Sequence, residues 1–158
     1  MNNKNIEIIT NSAAETVELG KRIGALLKGG EVIALVGNLG TGKTHLIKGI
    51  AAGLGANESD AVSSPTFVLV NEYFGRDGLI HIYHIDAYRM KSVKEFQSLG
   101  FDEYCCSDSV VLVEWADKVM TAVEEFDPMM VRLEHINENQ RRIVIENAPE
   151  CLSGASTD

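Results

Sequence analysis

The run Gly37-Asn38-Leu39-Gly40-Thr41-Gly42-Lys43-Thr44 has the residue types and spacing of a loop that grips phosphate. Glycines at 37, 40 and 42 permit backbone turns that side chains forbid, so successive N–H groups can face one anion. Lys43 offers a compact charge to β- and γ-phosphates, and the Thr44 hydroxyl suits Mg2+. The apolar run Val32–Val36 before the loop reads as a strand, and the spacing from Lys43 and His45 onward reads as a helix. The start of that helix aims its unpaired N–H groups at the same anion. The pattern predicts that residues Gly37 to His45 bind a nucleoside triphosphate with Mg2+.

Two carboxylates stand at strand ends. The apolar run Val110–Val113 delivers Glu114, the arrangement in which an acid orients Mg2+ or its water. Asp86 ends the strand Leu79–Asp86, where α/β sheets place their chemistry. His84, Asp86 and Tyr88 share a face by the period of two, whereas His81 and His84 point to opposite faces and cannot share a metal. Ser64-Pro65-Thr66 lies where a switch loop senses a γ-phosphate, and it also fits a proline-punctuated turn before a strand. Trp115, the sole tryptophan, follows Glu114 and is either core or a rim residue exposed for a partner.

The elements that carry these residues belong to a chain of 158 residues, 45% hydrophobic, enough for one domain with a substantial core. A strand at residues 5–9 precedes a helix opened by a Ser12/Glu15 capping box, with Val17, Gly20, Gly24 and Leu27 along one face and Gly29-Gly30 as its stop. The P-loop helix ends near Gly53 or Gly55. Residues 67–74 and 79–86 form a hairpin, and Ser92 and Glu95 open a short helix stopped by Gly100. Residues 101–106 make one further turn. An acidic helix over 117–126 breaks at Asp127-Pro128, and residues 129–136 and 141–146 pair across 137–140. The expected fold class is α/β, a three-layer sandwich of the P-loop NTPase kind, its central sheet mostly parallel with antiparallel hairpin additions. Residues 1–147 read as a single P-loop domain and 148–158 as a frayed tail.

Net charge is −9, from 23 acids against 14 bases. Such a surface repels phosphate backbones, which excludes DNA binding and leaves RNA accessible only through a partner protein. No apolar run approaches the ~20 residues of a membrane span, and the start lacks a secretory leader. Three cysteines, with Cys105 and Cys106 adjacent, form neither a disulfide framework nor a metal-spaced pair. A cytoplasmic location without membrane contact is expected.

GNLGTGKT, SSPTF, HIDAYR and LVEWADK, in this order and at these intervals, resemble the TsaE (YjeE) family over roughly residues 10 to 136. The resemblance implies an ATPase, weak alone, that acts with TsaD and TsaB to install threonylcarbamoyl on the adenosine beside the anticodon of ANN-decoding tRNAs. TsaD catalyses the transfer; TsaE docks on TsaD, and its hydrolysis resets the complex, so tRNA is met only indirectly. The cofactors implied are ATP and Mg2+. Lys43 would sit on the transferred group, Thr44 and Glu114 would bind Mg2+, and Asp86 would stand beside the γ-phosphate and attacking water. Ser64, Pro65 and Thr66 would form the switch, and Arg89 and Trp115 would lie near the catalytic face or the TsaD contact. Two positions depart from the family pattern: Asn38 replaces a usual Asp and His45 a frequent Thr. Two other classes stay open, a small-molecule P-loop kinase and a nucleotide-gated binding module with negligible catalysis. A GTPase is disfavoured, since no N-K-x-D motif follows a strand in the C-terminal half.

Overall fold

The computed structural model describes residues 5–38, 40–57 and 70–149. Leu39, the Ser64-Pro65-Thr66 segment, the expected strand residues 67–69 and tail positions 150–158 lie outside them. Among the described residues, seven strands form one sheet in the order β1-β7-β6-β2-β5-β4-β3. They are β1 (Ile6–Thr10), β2 (Val32–Val36), β3 (Val70–Gly75), β4 (Ile80–Asp86), β5 (Ser109–Glu114), β6 (Met129–His135) and β7 (Arg141–Glu146).

Parallel pairing is confined to the central block β6-β2-β5-β4. The pairs β1–β7, β6–β7 and β3–β4 are antiparallel. The sheet is therefore evenly mixed rather than mostly parallel. Burial explains the division. In β2 the residues Val32 to Leu35 are all buried, and β5 is buried throughout, as strands covered on both faces must be. Strands β6 and β7 instead alternate buried positions with more exposed ones.

Alternate residues of β2 divide between two cores. Ile33 and Leu35 join Leu19, Ile23, Leu46 and Ile50, whereas Val32 and Ala34 join Phe96, Phe101, Val119 and Ala122. The first core is capped by α1 (Ala13–Leu26) and α2 (Lys43–Gly53). Ser12 caps α1 by accepting the Glu15 N–H at 3.1 Å.

The two helices touch backbone to backbone. A Cβ on Gly49 would stand 2.1 Å from the Val17 carbonyl oxygen, and one on Gly53 2.2 Å from that of Lys21. In return, a Cβ on Gly20 would meet the Leu46 carbonyl oxygen at 2.4 Å. Residue pairs 17–49 and 21–53 ascend together, so the helices run in the same direction and begin at the same end of the sheet.

Among the described residues, the opposite face carries short pieces: α3 (Val93–Gln97), α4 (Phe101–Tyr104) and α5 (Met120–Val123). The acidic helix expected over 117–126 is split into a 3-10 turn at Ala116–Val119, α5, and another 3-10 turn at Glu124–Phe126. β-Branched Val119, Thr121 and Val123 weaken helical continuity there, and Val119 at φ −130° breaks it. Residue Ala148, assigned to the tail from sequence, packs against the first core. Among the described residues no helix is long and apolar enough to cross a membrane.

Candidate functional site

The loop between β2 and α2 uses its glycines in two ways. Gly40 and Gly42 sit at φ +81° and +98°, where side chains are strained. Gly37 is not in that region; space restricts it, since a Cβ would fall 2.7 Å from Thr41 Oγ1 and 2.8 Å from the Leu133 carbonyl oxygen. The Asn38 carbonyl accepts from Thr41 Oγ1 at 2.8 Å and from Lys43 Nζ at 3.2 Å, and Lys43 also donates to the Gly37 carbonyl. These contacts are made by the Asn38 backbone, and the residue is exposed.

Lys43 is buried, with its Nζ 3.8 Å from the centroid of the Trp115 ring. Burial pulls its pKa below the usual lysine value, and the nearby Glu114, Asp117 and Asp86 act against that shift. A cation so placed can leave the loop carbonyls for a phosphate oxygen.

Asp86 and Glu114 are partners in the β4–β5 register, which brings the two strand-end acids together. Burial raises the Asp86 pKa above the ordinary carboxylate range and Glu114 adds to the rise; a hydrogen bond from the Tyr88 N–H, at 2.9 Å, opposes it. Glu114 is buried, and its Oε2 lies 2.6 Å from Nε2 of the fully buried His84. The face expected to hold His84, Asp86 and Tyr88 therefore ends at Asp86. The strand stops there, and Tyr88 turns out to 52% exposure. The Tyr88 ring packs 4.8 Å from that of Trp115, while Lys118 lies over its other neighbourhood, 4.9 Å from the Tyr88 centroid. Arg89 is exposed beside it.

The loop, Lys43, Glu114 and Trp115 border a pocket of about 390 Å3. Gly40 to His45 line it along the loop, and Glu114 and Trp115 line it from the end of β5. Ser12, Ala13 and Thr16 contribute the start of α1, so both parallel helices begin at the pocket. The β6–β7 turn supplies Glu138, Asn139 and Arg141. That turn is fastened in place: Arg141 Nη2 donates to the Gly40 carbonyl at 3.4 Å, and Gln140 Nε2 to Asn11 Oδ1 at 2.7 Å.

Residues 10–143 match the family described as "Threonylcarbamoyl adenosine biosynthesis protein TsaE". The chain belongs to the TsaE family. It is 36% identical to the tRNA threonylcarbamoyladenosine biosynthesis protein TsaE of Bacillus subtilis (strain 168), over 89% of this chain and 84% of that one. It is 34% identical to the protein of the same name from Treponema pallidum (strain Nichols), over 87% and 97% of the two chains. The crystal structure of Bacillus subtilis YdiB superimposes with a TM-score of 0.71 at 32% identity, covering 94% of this chain and 89% of that one.

Of the site residues expected from sequence, Gly40 to His45, Glu114 and Trp115 line one pocket; Gly37 and Asn38 lie outside that lining, and Asp86 is paired to Glu114 in the ladder. Arg89 stands on the exposed turn after β4, and Leu39 and Ser64 to Thr66 lie outside the described residues. Sequence reasoning missed Arg141 and the turn that carries it, because a polar hairpin turn has no local mark of its tertiary neighbours. It also missed the bond from His84 to Glu114, although a histidine interrupting an apolar strand was a visible signal. The donor set suits a hard cation: Thr44, Glu114 and Asp86 offer oxygen only. Among the described residues no cluster of three or more His, Cys, Asp or Glu could hold a metal unaided. A Mg2+ ion would need phosphate and water oxygens beside Thr44 and Glu114, which is its habit at nucleotides.

Proposed function

We propose that this chain is a Mg2+-dependent ATPase. It acts with TsaD and TsaB in threonylcarbamoylation of the adenosine beside the anticodon of ANN-decoding tRNAs, its hydrolysis regulating or resetting their complex. The observation that carries the nucleotide part is the convergence of two parallel helix N-termini, the glycine loop, buried Lys43 and buried Glu114 on one pocket. Phosphates would lie along Gly37 to His45 with Lys43 on the transferred group. The base and ribose would fit between the start of α1 and the β6–β7 turn.

Bound Mg2+ would neutralise charge spreading onto the phosphate oxygens. The protein's own part begins with Lys43, which exchanges loop carbonyls for phosphate oxygen. Asp86, next to Glu114, accepts a hydrogen bond from the water that attacks in line and orients it. Trp115 covers Lys43 and excludes solvent from that charge. The pathway role rests on family membership. The partner role is supported by the charge of −9, which keeps the chain from tRNA on its own. Exposed Tyr88, Arg89 and Lys118 beside Trp115 offer a contact surface for TsaD close to the site.

The test is ATP hydrolysis by the purified chain, alone and with a TsaB–TsaD pair. Low turnover alone, a clear rise with the pair, and a loss of at least about 100-fold in kcat/KM for Lys43→Ala support the reading. Wild-type hydrolysis in the Lys43→Ala chain would overturn the site assignment, and indifference to the pair would overturn the partner role.

A further inference from the structure

The fully buried His84 has no place in the mechanism above, yet it makes a short contact to Glu114, the acid proposed to bind the metal. Its Nε2 lies 2.6 Å from Glu114 Oε2, and the two side chains are 0% and 3% exposed. For Glu114 to bind a metal it must be a carboxylate, and against a carboxylate the imidazole Nε2–H is the donor. The other ring nitrogen, Nδ1, is buried with no hydrogen-bond partner among the described residues. Leu112, its partner across the β4–β5 ladder, is apolar, as are its neighbours Ile82 and Ile85, and an aliphatic side chain would satisfy that core without stranding a polar atom. A polar residue kept at such a position marks a functional constraint.

We propose that His84 is a positioning residue for Glu114. Glu114 has three side-chain torsions and stands within the field of Lys43, which draws its carboxylate toward the ammonium. The bond from Nε2 gives one carboxylate oxygen a fixed anchor in the core, so the group presents a single orientation at the pocket wall. A hard cation with strict octahedral demands needs that constancy, and outer partners of this kind change metal affinity or activity by about 10–100-fold when removed. The inference rests on the proposed metal-binding role of Glu114.

The experiment follows Mn2+, a paramagnetic substitute for Mg2+, by the loss of its free EPR signal on titration into the chain with saturating ADP, less the loss given by the same ADP without protein. Metal-free ADP affinity and a thermal melt are measured on the same samples. His84→Phe keeps the ring and removes the donor; it should weaken Mn2+ binding about 10–100-fold with metal-free ADP affinity unchanged. His84→Gln restores an N–H at similar reach and should recover most of the loss. His84→Asn, a smaller residue whose amide stops short of Glu114, should behave as the phenylalanine variant and serves if that variant does not fold. In hydrolysis the same variants should raise the Mg2+ concentration needed for half-maximal rate more than they change kcat at saturating metal. Native Mn2+ binding in a folded His84→Phe or His84→Asn chain, while Glu114→Gln loses it, overturns the proposal. Native binding in Glu114→Gln itself overturns the parent assignment instead, so the two failures are distinguishable.

Discussion

The two faces of the sheet are built on different principles. On the α1–α2 face, glycines bring two helix backbones into contact, so no side chain at the crossing can adjust by rotating. On the opposite face, short segments meet through aromatic side chains: Phe96 and Phe101 at 4.8 Å between ring centroids, Phe101 and Phe126 at 5.0 Å. Rotamers and short loops can give where backbones cannot. The first face begins α2, which carries Lys43 and Thr44, and so fixes the half of the pocket proposed to hold phosphate. The second underlies the strand ends and turns that carry Asp86, Tyr88 and Trp115, the surface proposed to meet a partner. Rigid backbone packing and adjustable side-chain packing are thus divided between opposite sides of one sheet.

The largest expected effect tests the aromatic side. Phe96→Ala should lower unfolding free energy by about 3–5 kcal/mol in denaturant titrations, the usual cost of emptying a buried aromatic site. Nucleotide affinity of the remaining folded chain should hold; its loss would erase the division between the faces. Gly49→Ala tests the other side. In an exposed helix this change gains about 1 kcal/mol, but here the new Cβ meets the Val17 carbonyl oxygen at 2.1 Å. A loss of about 1–3 kcal/mol is expected, with weaker ATP binding in calorimetry because the starts of α1 and α2 both border the pocket. A stabilised Gly49→Ala chain would refute the backbone contact.

The smallest effect concerns Asp86. Its folded-state pKa is raised, chiefly by burial, so the stability it contributes is present in acid and is lost as pH rises through that value. Asp86→Asn keeps the acceptor for the Tyr88 N–H and removes the charge. It should melt slightly above the native chain at neutral pH, with the gap closing as pH falls into the range where Asp86 is protonated. Hydrolysis should fail throughout. A variant less stable than the native chain at neutral pH would mean that the Asp86 charge is favourable where it stands.

Much of this arrangement is legible in the residues, and the exceptions share a cause. The loop from Gly37 to Thr44 and the acid after Val110–Val113 are local patterns, so their strand and helix context could be read directly. Gly20 and Gly24 were visible along one face of α1, but their meaning depended on the α2 backbone from Leu46 to its cap at Leu54, which only folding brings alongside. The evenly mixed sheet had the same origin, because β1 pairs with β7 from the other end of the chain. The broken helix over 117–126 is different. Its acidic composition suggested continuity, while three β-branched residues and a buried face imposed turns.

The placement of Trp115 has an optical consequence. As the only indole in the chain, 3.8 Å from the Lys43 ammonium, it makes the protein its own spectroscopic probe. A positive charge at that distance shifts indole emission, and departure of Lys43 toward a phosphate would remove it. Under excitation selective for the indole over the four tyrosines, any such departure can be timed by fluorescence in the unlabelled chain.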